Sequence, residues 1–349
     1  MKTKHKIIIR ILILTGILLS FNFIYKAYLY EKDIQEHSEI IGIVRNLPAD
    51  CEVVYFAESS NFTSHKDDND KRRISEFAAD YYPGLKFHHI DNGALHAGNY
   101  RILMQHIEDT LPIKTIIVTL NLRSFGADWI YSRLETSLQK QMMLLHKRPP
   151  LANRFLLAFK AYDIKTEEER RKQVIKIWAK EKLSFPHKFK YNNTKQWDRT
   201  RAKDLWSKPY TDEEREQIVL GCHYIKSYGF QIDTNRNPRI EDFDYIVKYA
   251  KKRGWNVVFN LMAENTEKAS RLVEKELLWL MRQNRNLLVE RYTRQGAIVV
   301  DNLEDVPDKE YIDQNWTTEH YAETGRKIIA RNLADSLKQI YPDYYRPVQ

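Results

Sequence analysis

Val53-Val54-Tyr55-Phe56-Ala57-Glu58-Ser59-Ser60-Asn61 opens the folded part of the chain. Four apolar residues in a row read as a strand buried on both faces. The serines that follow then fall at the carboxyl edge of a sheet, where open α/β folds place their chemistry. Thr318-Glu319-His320-Tyr321 supplies a histidine some 260 residues later. A serine hydroxyl becomes a useful nucleophile when a base takes its proton, and histidine is the usual base.

Working outward from that strand, the pattern alternates. Residues 52–57 read as the first strand and Asp70–Tyr82 as a helix, with Ile74, Phe77, Ala78 and Tyr81 at helical spacing and Pro83-Gly84 ending it. Leu85–Ile90 reads as a strand, Asn99–Asp109 as a helix and Lys114–Leu120 as a strand. This βαβαβ order predicts a parallel, doubly wound sheet. The rhythm lapses over residues 131–245, read as a helical insertion that includes a helix over Glu167–Lys182. It returns with strands at Trp255–Met262 and Ala297–Val300, one or two helices over Thr266–Gln295 and a last helix at Ala322–Ile340.

The ends and the charge bound the setting. Lys2, Lys4 and Lys6 precede Ile7–Tyr25, an apolar run of 19 residues broken mainly by Arg10, Ser20 and Asn22. That is close to the ~20 residues that span a bilayer. The bulky residues after Ser20 do not suit signal cleavage, so residues 1–30 read as an uncleaved signal-anchor. A basic start predicts a cytoplasmic N-terminus and an extracytoplasmic bulk, a single-pass protein of the cell membrane. Residues 31–50 read as a linker and 51–349 as the folded domain.

The net charge is +9, and residues 131–230 carry 22 Lys/Arg against 12 Asp/Glu. Such a basic segment suits an acidic glycan, anionic lipid or simply solvent. Export argues against nucleic acid. Two cysteines, Cys51 and Cys222, exclude a disulfide-dense scaffold and a multi-cysteine zinc site; they either pair or stay free. The acidic run His65–Asp70 lacks the glycine and terminal glutamate of a calcium loop, so neither metal nor cofactor is expected. No Gly-x-Ser-x-Gly elbow, phosphate loop or His-Glu-x-x-His occurs.

Three loops fall at the carboxyl edge: residues 58–69, 91–98 and 121–128. The first holds Ser59 and Ser60. The second holds Gly93 and Gly98; Gly98 precedes a helix, so its N–H can face an anion. The third opens with Asn121, whose amide is a second donor, followed by Arg123 and Ser124, which read as surface or substrate contacts. A backbone N–H and an Asn amide beside a nucleophile make an oxyanion hole.

In these blocks the chain resembles the SGNH/GDSL hydrolase family. Ala57-Glu58-Ser59 stands where that family has Gly-Asp-Ser, Gly98 (or Gly93) where it has a block glycine, and Thr119-Leu120-Asn121-Leu122 where it has Gly-x-Asn-Asp. His320 stands for the terminal histidine, with Gly325 following. The resemblance covers residues 52–126 and 255–340 and implies a flavodoxin-like three-layer sandwich. It also implies a serine esterase with Ser59 as nucleophile, His320 as base, and Gly98 and Asn121 holding the oxyanion. Thr317 occupies the place of the family's aspartate, so the acid is expected to be Asp313, with Glu319 or a bare Ser-His dyad as alternatives. An exported, anchored esterase suggests an acylated envelope glycan as substrate. The alternatives are an O-acyltransferase acting on an exported polysaccharide and a non-catalytic glycan-binding or assembly protein.

Overall fold

The computed structural model describes residues 3–163 and 165–348. Five strands form one all-parallel sheet: β1 Val53–Ala57, β2 Phe87–Asp91, β3 Thr115–Leu120, β4 Asn256–Leu261 and β5 Ile298–Asp301. Their order is β2-β1-β3-β4-β5, so the α/β doubly wound reading holds. The chain leaves β1 toward β2 on one side and later returns to β3 on the other. That reversal opens a crevice at the carboxyl ends of β1 and β3, the position where such sheets bind ligands.

Side chains alternate across the sheet with period two. Val54, Phe56, Ile116, Val118, Val257 and Phe259 join a core beneath the helices Ala97–Leu103, Pro238–Arg253 and Lys275–Arg294. Val53, Tyr55, Ile117, Val258 and Val300 face the opposite core, closed by the helices Ile74–Asp80 and Glu323–Leu337. Both faces are therefore covered, giving three layers. This is why β1 reads as an unbroken apolar run and β3 as a largely apolar one, with Thr115 and Thr119 its only polar residues: every residue in both is buried.

Three boundaries differ from the sequence reading. Residues 31–50, expected as a linker, contain the helices Tyr30–His37 and Ile41–Arg45, and Ile34, Ile40, Ile41 and Val44 are buried in the main core. Those apolar residues are too few and too irregularly spaced to announce a helical face. The helix expected from Asp70 starts at Ile74, because the backbone of residues 70–72 instead hydrogen-bonds the buried Arg326 guanidinium. The insertion ends before Pro238, since Pro238–Arg253 is the crossover helix that packs on Ala97–Leu103 and delivers β4. Its own helices share the main core through Trp197, Tyr224 and Tyr228. Cys51 and Cys222 are both free and buried.

Candidate active site

Ser59 is the first residue of the short helix Ser59–Phe62, two residues past the end of β1. Glu58 caps that helix: its Oε2 accepts the Ser60 N–H at 3.1 Å. The Ser59 hydroxyl lies 2.8 Å from the same Glu58 oxygen and 2.9 Å from His320 Nε2. On the far side of the ring, His320 Nδ1 meets Asp313 Oδ2 at 2.7 Å. Thr318 Oγ1 donates to that carboxylate oxygen at 2.6 Å. Ser59, His320 and Asp313 thus form one continuous hydrogen-bonded chain.

An aspartate seven residues before the histidine reaches it because the intervening loop folds back. Tyr311 and Tyr321 form an antiparallel bridge. The Ile312 N–H donates to His320 O at 2.9 Å, and the Ala322 N–H to Glu310 O at 2.8 Å. The loop closes like a hairpin, and its two shoulders carry Asp313 and His320. Arg326 then locks this loop to the one after Ser59. Its fully buried guanidinium donates to Tyr321 O, Thr63 O and Asp68, at 3.0, 3.2 and 2.9 Å respectively.

Thr317 and Glu319 do other work on the same loop. Thr317 is buried, with its hydroxyl 3.0 Å from Ser227 Oγ and its carbonyl accepting from Arg123. Glu319 points inward and pairs with Arg123 at 2.5 Å, away from the imidazole. Arg123 is therefore a buried structural cation and not a surface residue, and Trp129 lies 4.6 Å from it, ring to guanidinium. Burial works against its charge, but the acidic groups around it, Glu319 first and then Tyr228, Glu264 and Glu58, together outweigh this and hold its pKa above the ordinary range.

Glu58 and Glu264 border this pair, and Tyr228 donates a hydrogen bond to Glu264. Burial, and then the charge of Glu319, raise the pKa of Glu58 and push that of Glu264 well above the carboxylate range. One guanidinium balances one carboxylate, so the cluster is nearly neutral when Glu319 is ionised and the other two acids keep their protons. A neutral Glu58 leaves the Ser59 proton to His320; an ionised one competes for it. No sequence pattern distinguishes Glu264 and Tyr228, because single polar residues in helical and loop segments carry no period.

The two expected oxyanion donors part company. Asn121 directly follows β3 and lines a small cavity with Glu58, Thr119, Ser124 and Trp129. Its Oδ1 has no partner among the described residues. Gly98 is not available: its N–H donates to His96 Nδ1 at 3.0 Å. An added Cβ there would meet Asp242 Oδ2 at 2.9 Å, so this glycine permits the close approach of helix Pro238–Arg253. Gly93 donates to Asn92 Oδ1 at 2.8 Å in an exposed turn. The remaining backbone candidate is Ser59 itself, since the first N–H of a helix has no intrahelical acceptor.

No family model matches the chain, and no curated protein matches it in sequence. Among solved structures it is similar to the lipase/acylhydrolase from Enterococcus faecalis, at 7% identity over 86% of this chain and 99% of that one, with a TM-score of 0.32. A likeness at that level carries no argument about activity; the fold rests on the sheet topology above.

Proposed function

We propose that this protein is a serine-dependent esterase or acyltransferase held at a membrane. The observation that carries the reading is the Ser59–His320–Asp313 chain at the switch point of the sheet. Ser59 Oγ attacks an ester carbonyl while His320 Nε2 takes its proton. Asp313 fixes the Nδ1–H tautomer and stabilises the imidazolium. The Asn121 amide and the Ser59 N–H face the developing oxyanion. His320 then protonates the departing alkoxide, leaving an acyl-serine. Water or a sugar hydroxyl, deprotonated in turn by His320, releases the acyl group.

The cavity lined by Glu58, Thr119 and Asn121 measures about 10 Å³, room for about one water-sized group. Neither Ser59 nor His320 lines it; it borders the nucleophile through Glu58 and Asn121, and a small acyl group such as acetyl is the one we propose for it. An O-acetylated envelope glycan is the substrate class that joins this cavity to an extracytoplasmic, anchored domain.

Helix Lys4–Tyr28 is long and apolar enough to cross a bilayer, a property shared by anchors and signal sequences. Its outer end is tied to the folded domain. Asn22 Oδ1 accepts the Leu151 N–H at 3.0 Å, and Tyr25, only 5% exposed, donates to Asp33 at 2.7 Å.

The test is turnover by detergent-solubilised protein on acetyl and octanoyl esters, with and without an oligosaccharide acceptor. Acetyl release or transfer that disappears in Ser59→Ala is expected. Wild type and Ser59→Ala giving identical, background rates in every arm would sink the proposal.

A further inference from the structure

We infer that helix Pro150–Ala158 is a second membrane contact, lying in the headgroup region beside the spanning helix. The inference rests on the anchor reading and goes beyond it, because it assigns a lipid-facing surface to the inserted helical segment. The apolar N-terminal helix packs directly on Pro150–Ala158. The Asn22–Leu151 hydrogen bond fixes their relative height. Asn22 lies near the outer end of the apolar run Ile7–Tyr25. Whatever plane the bilayer surface takes there, the start of Pro150–Ala158 shares it. A second tie, Arg154 Nε to Asp33 at 2.7 Å, joins the helix to the segment leaving the span. Asp33 also holds Tyr25. The span and this helix are therefore tied together at more than one point.

Leu151, Phe155 and Phe159 form an apolar stripe along the helix at four-residue spacing. Residues so spaced share one helix face. Phe155 is 49% exposed and Phe159 80%, and their rings stack at 6.5 Å. Two exposed phenylalanines on a globular surface are ordinary when scattered. Here they are adjacent, aligned and joined to a membrane span.

The termini of the helix add charge. Lys147 and Arg148 precede it and are exposed. Lys160 follows it with φ +51°, in the left-handed conformation that glycine adopts at low cost. The Ala161 N–H to Leu156 O bond, 2.9 Å, closes this helix end. Lys160 is exposed and adds a third cation at the end of the helix. An apolar face flanked by Lys and Arg is the pattern of helices that lie in the bilayer interface and favour anionic headgroups. The occupant we commit to is therefore the lipid surface, with the short connection 29–45 packed on the core and unable to lift the domain away.

The experiment places an environment-sensitive NBD label on the full-length chain. Phe159→Cys and, within the span, Leu18→Cys are labelled separately; the native Cys51 and Cys222 are buried and serve as background in the unsubstituted protein. Each is reconstituted in nanodiscs of phosphatidylcholine and phosphatidylglycerol, with and without lipids spin-labelled near the headgroup. The expected result is blue-shifted emission at residue 159 and loss of intensity with the spin label, comparable to that at residue 18. Quenching at 18 with water-like, unquenched emission at 159 overturns the inference and leaves the anchor standing. Absence of quenching at both positions overturns the anchor reading and this inference together.

Discussion

The loop 311–321 presents one carboxylate to solvent and another to the protein interior, and the two behave differently. The Asp313 side chain is 37% exposed and touches His320; that of Glu319 is 2% exposed and touches Arg123. An acid that orients a catalytic imidazole must stay ionised while the ring gains and loses a proton. Asp313 stands beside both water and the ring it would orient, whereas Glu319 is turned inward and occupied by Arg123. Proximity in sequence points to Glu319, which adjoins His320, whereas solvent and loop geometry point to Asp313.

The largest effect expected on either side of this comparison is at the nucleophile. Ser59→Ala should lower ester turnover by ~10⁴-fold or more, while leaving the melting curve in place. Wild-type turnover in that variant would remove the chemistry from the open side altogether.

Asp313→Asn sharpens the contrast between the two acids. It is expected to cost at least ~10²-fold in kcat, because Asn can favour the wrong tautomer and cannot balance the imidazolium. Glu319→Gln should cost about tenfold in kcat at most, but ~3 kcal/mol of stability, because it leaves the Arg123 guanidinium buried beside a neutral amide. Steady-state kinetics with denaturant unfolding separate the two. The reverse pattern, with kcat lost at Glu319 and retained at Asp313, exchanges their roles.

A smaller effect tests the buried side by pH. The folded-state pKa of Glu264 lies well above its unfolded value, chiefly through burial. Between those two pKa values the folded chain holds a proton the unfolded chain has lost. Its contribution to stability is therefore full below the unfolded pKa and is lost as pH rises through the folded one. Glu264→Gln removes that loss. Melting temperatures from acid to mildly alkaline pH should show the variant gaining on wild type as pH rises. Parallel curves would mean that Glu264 does not hold its proton on folding.

The open side was the more legible. Strands β1, β3 and β4 announce themselves because strands buried on both faces are mostly apolar, and Ser59 and Asn121 could be placed from the strand ends, whereas His320 came from the family resemblance. Asp313 followed from its spacing, though the Tyr311–Tyr321 bridge that makes it reach is a pairing of distant tyrosines with no local signal. Gly98 misled for a physical reason: a glycine before a helix can free an N–H for an anion or admit a neighbouring helix, and only the neighbour Asp242 distinguishes these. The buried side was hidden. Arg123 reads as a surface residue until Glu319 and the Thr317 carbonyl close over it. Arg326, which nothing in the sequence sets apart from other arginines, ties together the loops carrying Ser59 and His320.

The central claim is that His320 activates Ser59, and a fluorophosphonate reports on it without knowledge of the substrate. The full-length protein is treated with the reagent, digested and mapped by mass spectrometry. The account predicts a single phosphonyl adduct on Ser59 in the wild type, strongly slowed in His320→Ala and absent in Ser59→Ala. Equal labelling of wild type and His320→Ala, or an adduct on a serine other than Ser59, would contradict it.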